Sequence, residues 1–369
     1  MARNRVIYQS EGLYVSKEAT STSSGDHAHL TRVQSANYNF NIARQDINQY
    51  GELARIDSIV IDAPTVALDF SYYITNGKNE KDMGFNVIAS GSGESTNPQF
   101  VGGQITGGSG RNYFIVTSSE GSDLNASTGT SSLSGKNSIG IGNTYLTDYS
   151  VEFAVGSIPT ATVSLEAANV VASSISGTNS GTNPAIDQEN GTSVGTAVVL
   201  PTPSSNTNSI VSALRPGDVT VTFGGFGSSG ILGNLGAGAD SLHLQSASLS
   251  IPLSRSPIQR LGSKFAYSRS VDFPVTATIS LNGVQNEVGS GSLIALLDSN
   301  PKTQIEITVK QPGTANTAVK YIIKNAQLDS SSVSSSIGSN KTADFTFSAQ
   351  IGGVNDTNDG VVMSGTFAG

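Results

Sequence analysis

Leu30–Tyr73 reads LTRVQSANYNFNIARQDINQYGELARIDSIVIDAPTVALDFSYY, and its pattern returns from Leu242 as LHLQSASLSIPLSRSPIQRLGSKFAYSRSVDFPVTATISL. Laid on each other without gaps, the two stretches pair Gln34 with Gln245, and 245 minus 34 is an offset of 211. Ser35, Ala36, Arg44, Ile47, Gly51, Val60 and Thr65 meet identical residues at that offset. The apolar alternation matches too: Tyr38, Phe40 and Ile42 fall on Leu249, Ile251 and Leu253, and Val66, Leu68 and Phe70 fall on Ala277, Ile279 and Leu281. Apolar residues at every second position predict strands with these side chains facing a core.

A repeat in a Ser-rich chain has to recur downstream to count. NTYLTDYSVEFAVGSIPTATVSLEA from Asn143 lies on NAQLDSSSVSSSIGSNKTADFTFSA from Asn325, an offset of 182. Asn143, Leu146, Ser150, Val151, Gly156, Ser157, Thr160, Ala161 and Ala167 have identical partners there. The fall from 211 to 182 leaves 29 additional residues in the first copy. They are expected in loops, since SGSGESTNPQF, GGQITGGSG and SDLNASTGTSSLSGKN hold no sustained period. The expected organisation is a first module over 1–170, a Ser/Thr/Gly-rich surface linker over 171–209, and a second module over 210–369.

Composition agrees with a turn-rich β protein. Of 369 residues 37% are hydrophobic, only 13% are charged, and 41 are glycine. With no cysteine there is no disulfide framework and no thiolate chemistry, which suits folding in a reducing cytoplasm. MARNRVIYQSEGLYV has no apolar signal region, and no run approaches the roughly 18 apolar residues of a membrane helix, so no membrane association is expected. The net charge is -8, residues 1–170 hold 16 acids against 10 bases, and no basic stripe is present to grip phosphates.

The fold class expected is therefore mainly β, with two tandem sandwich modules of about one short α-helix each. NGKNEKDMGF offers one helical turn capped by Asn76 or Asn79, and GSGSLIALLDSNP offers its counterpart, with Ser290 or Ser292 as cap and Pro301 as stop. Gln45–Arg55 and Ser256–Lys264 break the alternation and are expected to project as hairpins. Pro252 stands where the first copy has Asn41, so the strand ending there is expected to pair on one side only.

Chemistry-bearing motifs are sparse. His27-x-His29 lacks a third ligand at fixed spacing and is expected in a solvated loop. Gly225-x-Gly227-x-x-Gly230 is followed by ILGNLG, a poor helix start, with no acid about 20 residues on. NDTNDG places Gly360 where a calcium loop needs an oxygen, so a turn is expected. No carboxylate pair or triad marks a hydrolase, and neither a catalytic residue, a metal site nor a cofactor is expected.

RVQSANYNFNIARQDINQYGELARIDSIVIDAPTVALDFSYYITNG with NEKDMGF after it, and the closing blocks NAQLDSSSV and ADFTFSAQIGG, resemble the tail tube (major tail) proteins of tailed bacteriophages. The resemblance implies a β-sandwich flanked by a short helix, six-fold rings stacked into a hollow tube, and DNA passing through the bore without tight binding. Two modules per chain imply three chains per pseudo-hexameric ring. Tape measure and tail-end proteins are the further partners implied, and the virion tail, assembled in the host cytoplasm, is the implied location. On this reading Asn37, Asn39, Asn41, Thr65, Asp69, Ser248, Ser250, Thr276, Thr278 and Ser280, opposite the apolar alternation, line the bore. The hairpins would stack ring on ring through Arg44, Asp46, Gln49, Glu52, Arg55, Asp57, Arg255, Arg260 and Lys264. The alternative is a two-domain adhesin or carbohydrate-binding virion protein; it needs exposed aromatic platforms, whereas aromatics are 7% and sit mainly in alternating positions.

Overall fold

The computed structural model describes residues 10–91, 99–106, 110–118, 124, 132–203, 213–224, 242–285, 302–338 and 340–367. The first half contains β1 (Glu11–Ser16), β2 (His27–His29), β3 (Val33–Asn41), β4 (Arg44–Ile47), β5 (Asp57–Val60), β6 (Thr65–Tyr73), α1 (Lys78–Asp82), β7 (Val87–Ala89), α2 (Gly102–Thr106), β8 (Arg111–Thr117), β9 (Asn137–Ala154), β10 (Thr160–Ala167) and β11 (Asn169–Ser174). Short strands β12 (Ser180–Thr182), β13 (Ile186–Asp187), β14 (Thr192–Ser193) and β15 (Ala197–Val199) follow. The second half contains β16 (Val219–Gly224), β17 (Leu242–Pro252), β18 (Arg255–Ile258), β19 (Ser268–Val271), β20 (Val275–Gln285), β21 (Thr303–Lys310), β22 (Thr317–Ser334), β23 (Thr342–Ile351) and β24 (Gly360–Gly365). The chain is mainly β, and its two α-helices among the described residues have five residues each. Neither Asn76 nor Asn79 is the cap of the first: the N-cap is Gly77, at φ 85°, without a side-chain cap bond, and Asn76 stands one residue before it, its Oδ1 accepting the Lys78 N–H at 3.2 Å; Gly225–Gly230 and the helix expected within 286–301 lie outside the described residues.

The two halves repeat one strand plan. β3, β6, β10 and β9 lie side by side in that order, as do β17, β20, β23 and β22. Register is copied as well as order. Ala36 faces Phe70 as Ala247 faces Leu281, and Val163 faces Phe70 as Phe345 faces Leu281. A bulge omits Gln34 from the ladder in one half and Gln245 in the other; a second omits Thr147 and, 182 residues on, Asp329. The small hairpins β4–β5 and β18–β19 coincide residue for residue at the offset of 211.

β9 and β22 have 18 residues each and belong to two sheets. The switch falls at Asn143 and Asn325, which have φ values of 53° and 51°. This left-handed backbone turns the corner, a conformation that Asn adopts more readily than most residues, and here each amide is held by a distant segment. The Asn143 Oδ1 accepts the Ile186 N–H at 2.8 Å, and the Asn325 Nδ2 donates to Asp359 at 2.6 Å. Before the corner β9 joins the sheet β2-β1-β8-β9-β11, and β22 joins β16-β21-β22-β24-β7; after it both join the larger sheet.

That larger sheet is continuous through both halves, in the order β22-β23-β20-β17-β9-β10-β6-β3. The halves meet where β9 pairs antiparallel with β17, Val151 opposite Leu249 and Tyr149 opposite Ile251. Contrary to the expectation from Pro252, β17 therefore pairs on both sides, with β9 and with β20. The proline is the last residue of the strand, where its missing N–H costs the ladder little. One apolar core draws on both halves, from Leu13 and Phe70 to Phe347 and Met363. The segment between β6 and β8 also crosses over. β7 adds in parallel to β24, and Gln99 accepts the Val361 N–H at 3.1 Å and donates to the Asp356 carbonyl at 3.0 Å. The stretch 355–359 lies in the connection between β23 and β24, and Gly360 opens β24.

The expected surface linker over 171–209 is corrected for its described part. Ile175, Val198 and Leu200 are buried with Tyr14, Phe114, Val116, Leu124 and Leu133 in a second small core. The cause lies in β8, whose run NYFIV is apolar at every position after Asn112: Tyr113 and Ile115 enter the main core, so Phe114 and Val116 need cover on the other face.

Candidate assembly surface

The joint inside the chain has two unmatched halves at the ends of the sheet. Among the described residues β3 pairs only with β6, and the stretch of β22 after the corner pairs only with β23. These are the counterparts of β17 and of the end of β9, which pair with each other. Burial follows the pairing. Leu249 and Ile251 are 0% exposed, whereas Tyr38 and Phe40 are 40% and 61% exposed; Val151 is 1% exposed and its repeat Val333 is 52% exposed. Tyr38, Phe40 and Ile42, expected in the core by their alternation, are thus on the surface of the single chain, because what covers their repeats is β9. Unpaired edges of this length normally carry Lys or Pro to block association. VQSANYNFN and the end of β22, QLDSSSVS, have neither.

The face opposite the core is polar. Asn37 lies opposite Asp69, Asn39 opposite Ala67 and Asn41 opposite Thr65. In the second half Ser248 lies opposite Ser280 and Ser250 opposite Thr278, with Thr276 further along β20 opposite Gln350. A row of hydroxyls runs across the sheet on one register line: Ser35, Ser71, Thr162, Ser150, Ser250, Thr278 and Ser348. The parts of the eight strands in this sheet hold Asp69, Asp148, Glu152, Glu166, Asp329 and Asp344 and not one Lys or Arg. Glu166 has a charged partner from outside the sheet, Arg269 on β19.

The hairpins β4–β5 and β18–β19 lie next to each other, the Gln259 Nε2 donating to Asp62 at 2.8 Å. On the first, Arg44, Asp46, Gln49, Glu52, Arg55 and Asp57 are all exposed. Arg55 pairs with Asp46 at 2.9 Å, and Gln49 donates to Glu52 at 3.3 Å. Exposed pairs of this kind contribute about 0–1 kcal/mol. Tyr50, Leu53 and, on the second hairpin, Leu261 are fully exposed at the tips. Arg260 lies over the Tyr267 ring at 5.7 Å, and Lys264 is exposed. Arg255 is different. It donates to the carbonyls of Gln104 at 2.7 Å, Arg269 at 2.8 Å and Leu146 at 3.3 Å, so it ties the second hairpin to β9 and α2.

A polar group sits inside the joint. Glu80 on α1 is fully buried, accepts the Tyr72 hydroxyl at 2.8 Å and the Tyr149 hydroxyl at 3.4 Å, and Tyr149 and Tyr321 share a hydrogen bond of 3.0 Å. Burial pushes the Glu80 carboxyl above its usual range, and the hydroxyls only partly offset that. Nothing in NGKNEKDMGF by itself marks this role for Glu80, since Tyr149 and Tyr321 reach it only through the tertiary fold.

His27 and His29 are not in a solvated loop. They form β2, buried against Phe114 and Tyr14, and burial lowers the His29 imidazole to about 4. Among the described residues no group of three or more His, Cys, Asp or Glu could hold a metal, and no helix is long and apolar enough to cross a membrane.

No protein-family model and no curated protein matches this chain. Among solved structures, a chain in the cryo-EM structure of the anti-feeding prophage baseplate, 6-fold symmetrised, is similar at 12% identity with a TM-score of 0.24, over 32% of this chain and 78% of that one.

Proposed function

We propose that the protein is a structural subunit of a phage-type tail tube. Three copies close into a ring of pseudo-six-fold symmetry, and stacked rings enclose a conduit for DNA. The observation that carries this reading is the pairing of β9 with β17 inside the chain while their repeats, the end of β22 and β3, are left open, with Val333, Tyr38 and Phe40 exposed. A head-to-tail joint that repeats itself generates a closed ring when the rotation per step divides a full turn.

Dimensions agree with such a role. Three chains of eight strands give twenty-four. At a strand spacing of about 4.8 Å and a tilt of about 40°, they close a barrel of roughly 48 Å between backbones, wide enough for a duplex after side chains are added. The polar, acid-bearing face, whose strands carry no Lys or Arg and whose neighbour Arg269 is nearly buried and paired with Glu166, would then turn inward. DNA carries one negative charge per about 1.7 Å, so such a wall offers phosphates no counterion and lets the duplex slide.

Electron microscopy and mass photometry of the purified protein test the reading. Trimeric rings or hollow tubes are expected; a monodisperse monomer at high concentration, with no tubes in any particle, would overturn it.

A further inference from the structure

We propose that the end of β22 pairs antiparallel with β3 of the next copy in one register, with Val333 opposite Tyr38 and Ser331 opposite Phe40, and that Arg44 clasps the Leu328 carbonyl across this seam. The inference rests on the ring reading and adds to it the residues that meet.

The register is transferred from the joint already present within the chain. There Leu249 faces Val151, Ser250 faces Ser150 and Ile251 faces Tyr149. Subtracting 211 from one side and adding 182 to the other gives Tyr38 with Val333, Asn39 with Ser332, and Phe40 with Ser331. The transfer is justified because both strands keep their inner partners in the copied register, with the same bulges at Gln34 and Gln245 and at Thr147 and Asp329.

Side-chain size supports this register. Within the chain the aromatic ring belongs to β9, as Tyr149, and faces the aliphatic Ile251. In the proposed seam the ring belongs to β3, as Phe40, and faces the small Ser331. The bulky residue has changed strands, so one large side chain still meets a smaller one, as cross-strand packing requires. A slip of one residue would turn Val333 onto the polar face.

Arg255 supplies the second argument. It stands 211 residues after Arg44 and binds the Leu146 carbonyl, and Leu146 recurs 182 residues on as Leu328. Arg44 is exposed and makes no side-chain hydrogen bond or ion pair among the described residues, so in the single chain it lacks the strand that Arg255 holds. The acceptor is a backbone carbonyl, which any residue at 328 presents.

The absence of cysteine gives a clean background for a crosslinking test. The full chain carrying Asn39→Cys with Ser332→Cys is oxidised after assembly, beside Asn39→Cys with Ser330→Cys and Asn39→Cys with Ser334→Cys. Ser150→Cys with Ser250→Cys, directly opposed within the chain, is the positive control. Covalent trimers from the first pair and not from the shifted pairs are expected. Rings that link through Ser330 or Ser334 instead would overturn the register and leave the ring reading standing. Monomers with an intact circular dichroism spectrum and no rings would overturn both. For the clasp, Arg44→Ala is expected to raise the concentration needed for ring formation at least about tenfold, in line with a charge-assisted bond; unchanged assembly would remove Arg44 from the seam.

Discussion

The hydroxyls of Tyr149 and Tyr321 lie 3.0 Å apart in the interior, and the two tyrosines come from the long strands of different repeats. With Tyr72 and Glu80 they form a buried polar link between the halves, beside the continuous sheet. Because the halves share this link and one core, a single calorimetric unfolding transition is expected instead of two. Glu80→Ala would orphan buried hydroxyls and is expected to cost about 2–5 kcal/mol.

Glu80 also predicts a pH dependence. Its folded pKa is raised above 4.5, so between 4.5 and that higher value the folded state holds a proton the unfolded state has lost. Stability contributed by this group is therefore greatest in acid and falls as pH rises through the window. Glu80→Gln should remove that fall. The difference in urea stability between variant and parent is expected to favour the variant more at pH 8 than at pH 4.5; no change in the difference would show that Glu80 is not the titrating group.

Phe40 and Ile251 occupy one position of the repeat in different surroundings. Ile251→Ala should lose about 2–5 kcal/mol, the usual range for a fully buried Ile. Phe40→Asp should leave the monomer's thermal midpoint within experimental error and abolish rings by light scattering. Equal destabilisation by both substitutions would mean that β3 is covered within the chain.

The tips Tyr50, Leu53 and Leu261 are fully exposed on neighbouring hairpins, and under the proposed assembly they are the contact between successive rings. Leu53→Asp combined with Leu261→Asp should leave trimeric rings intact and shorten or eliminate tubes in electron micrographs. Tubes of normal length would move the stacking contact elsewhere.

Asp69 lies on the polar face, opposite Asn37 and Ser164. Asp69→Lys should fold normally, since the residue is exposed, and should slow DNA passage in assembled particles by adding a counterion to the wall. Genome release timed by dye-labelled DNA checks this; unchanged timing would take Asp69 out of the bore.

Much of the strand plan is legible in the amino-acid order. The offsets of 211 and 182 align β4 with β18, β5 with β19 and β10 with β23, and the same numbers align both bulges and the left-handed asparagines. Alternation and a bulge residue are local features that act through their own neighbours. Which edge meets which is not written there. Tyr38 and Leu249 carry the same alternation, and only the tertiary structure shows one exposed and the other buried, because burial depends on whether another strand is present to pair. The crossing of β7 to β24, the folding of 171–203 onto β8, and the gathering of Tyr72, Glu80, Tyr149 and Tyr321 are likewise decided by packing between distant segments. Periodicity fixes which face of a strand is apolar, whereas the partner that covers it is chosen in three dimensions.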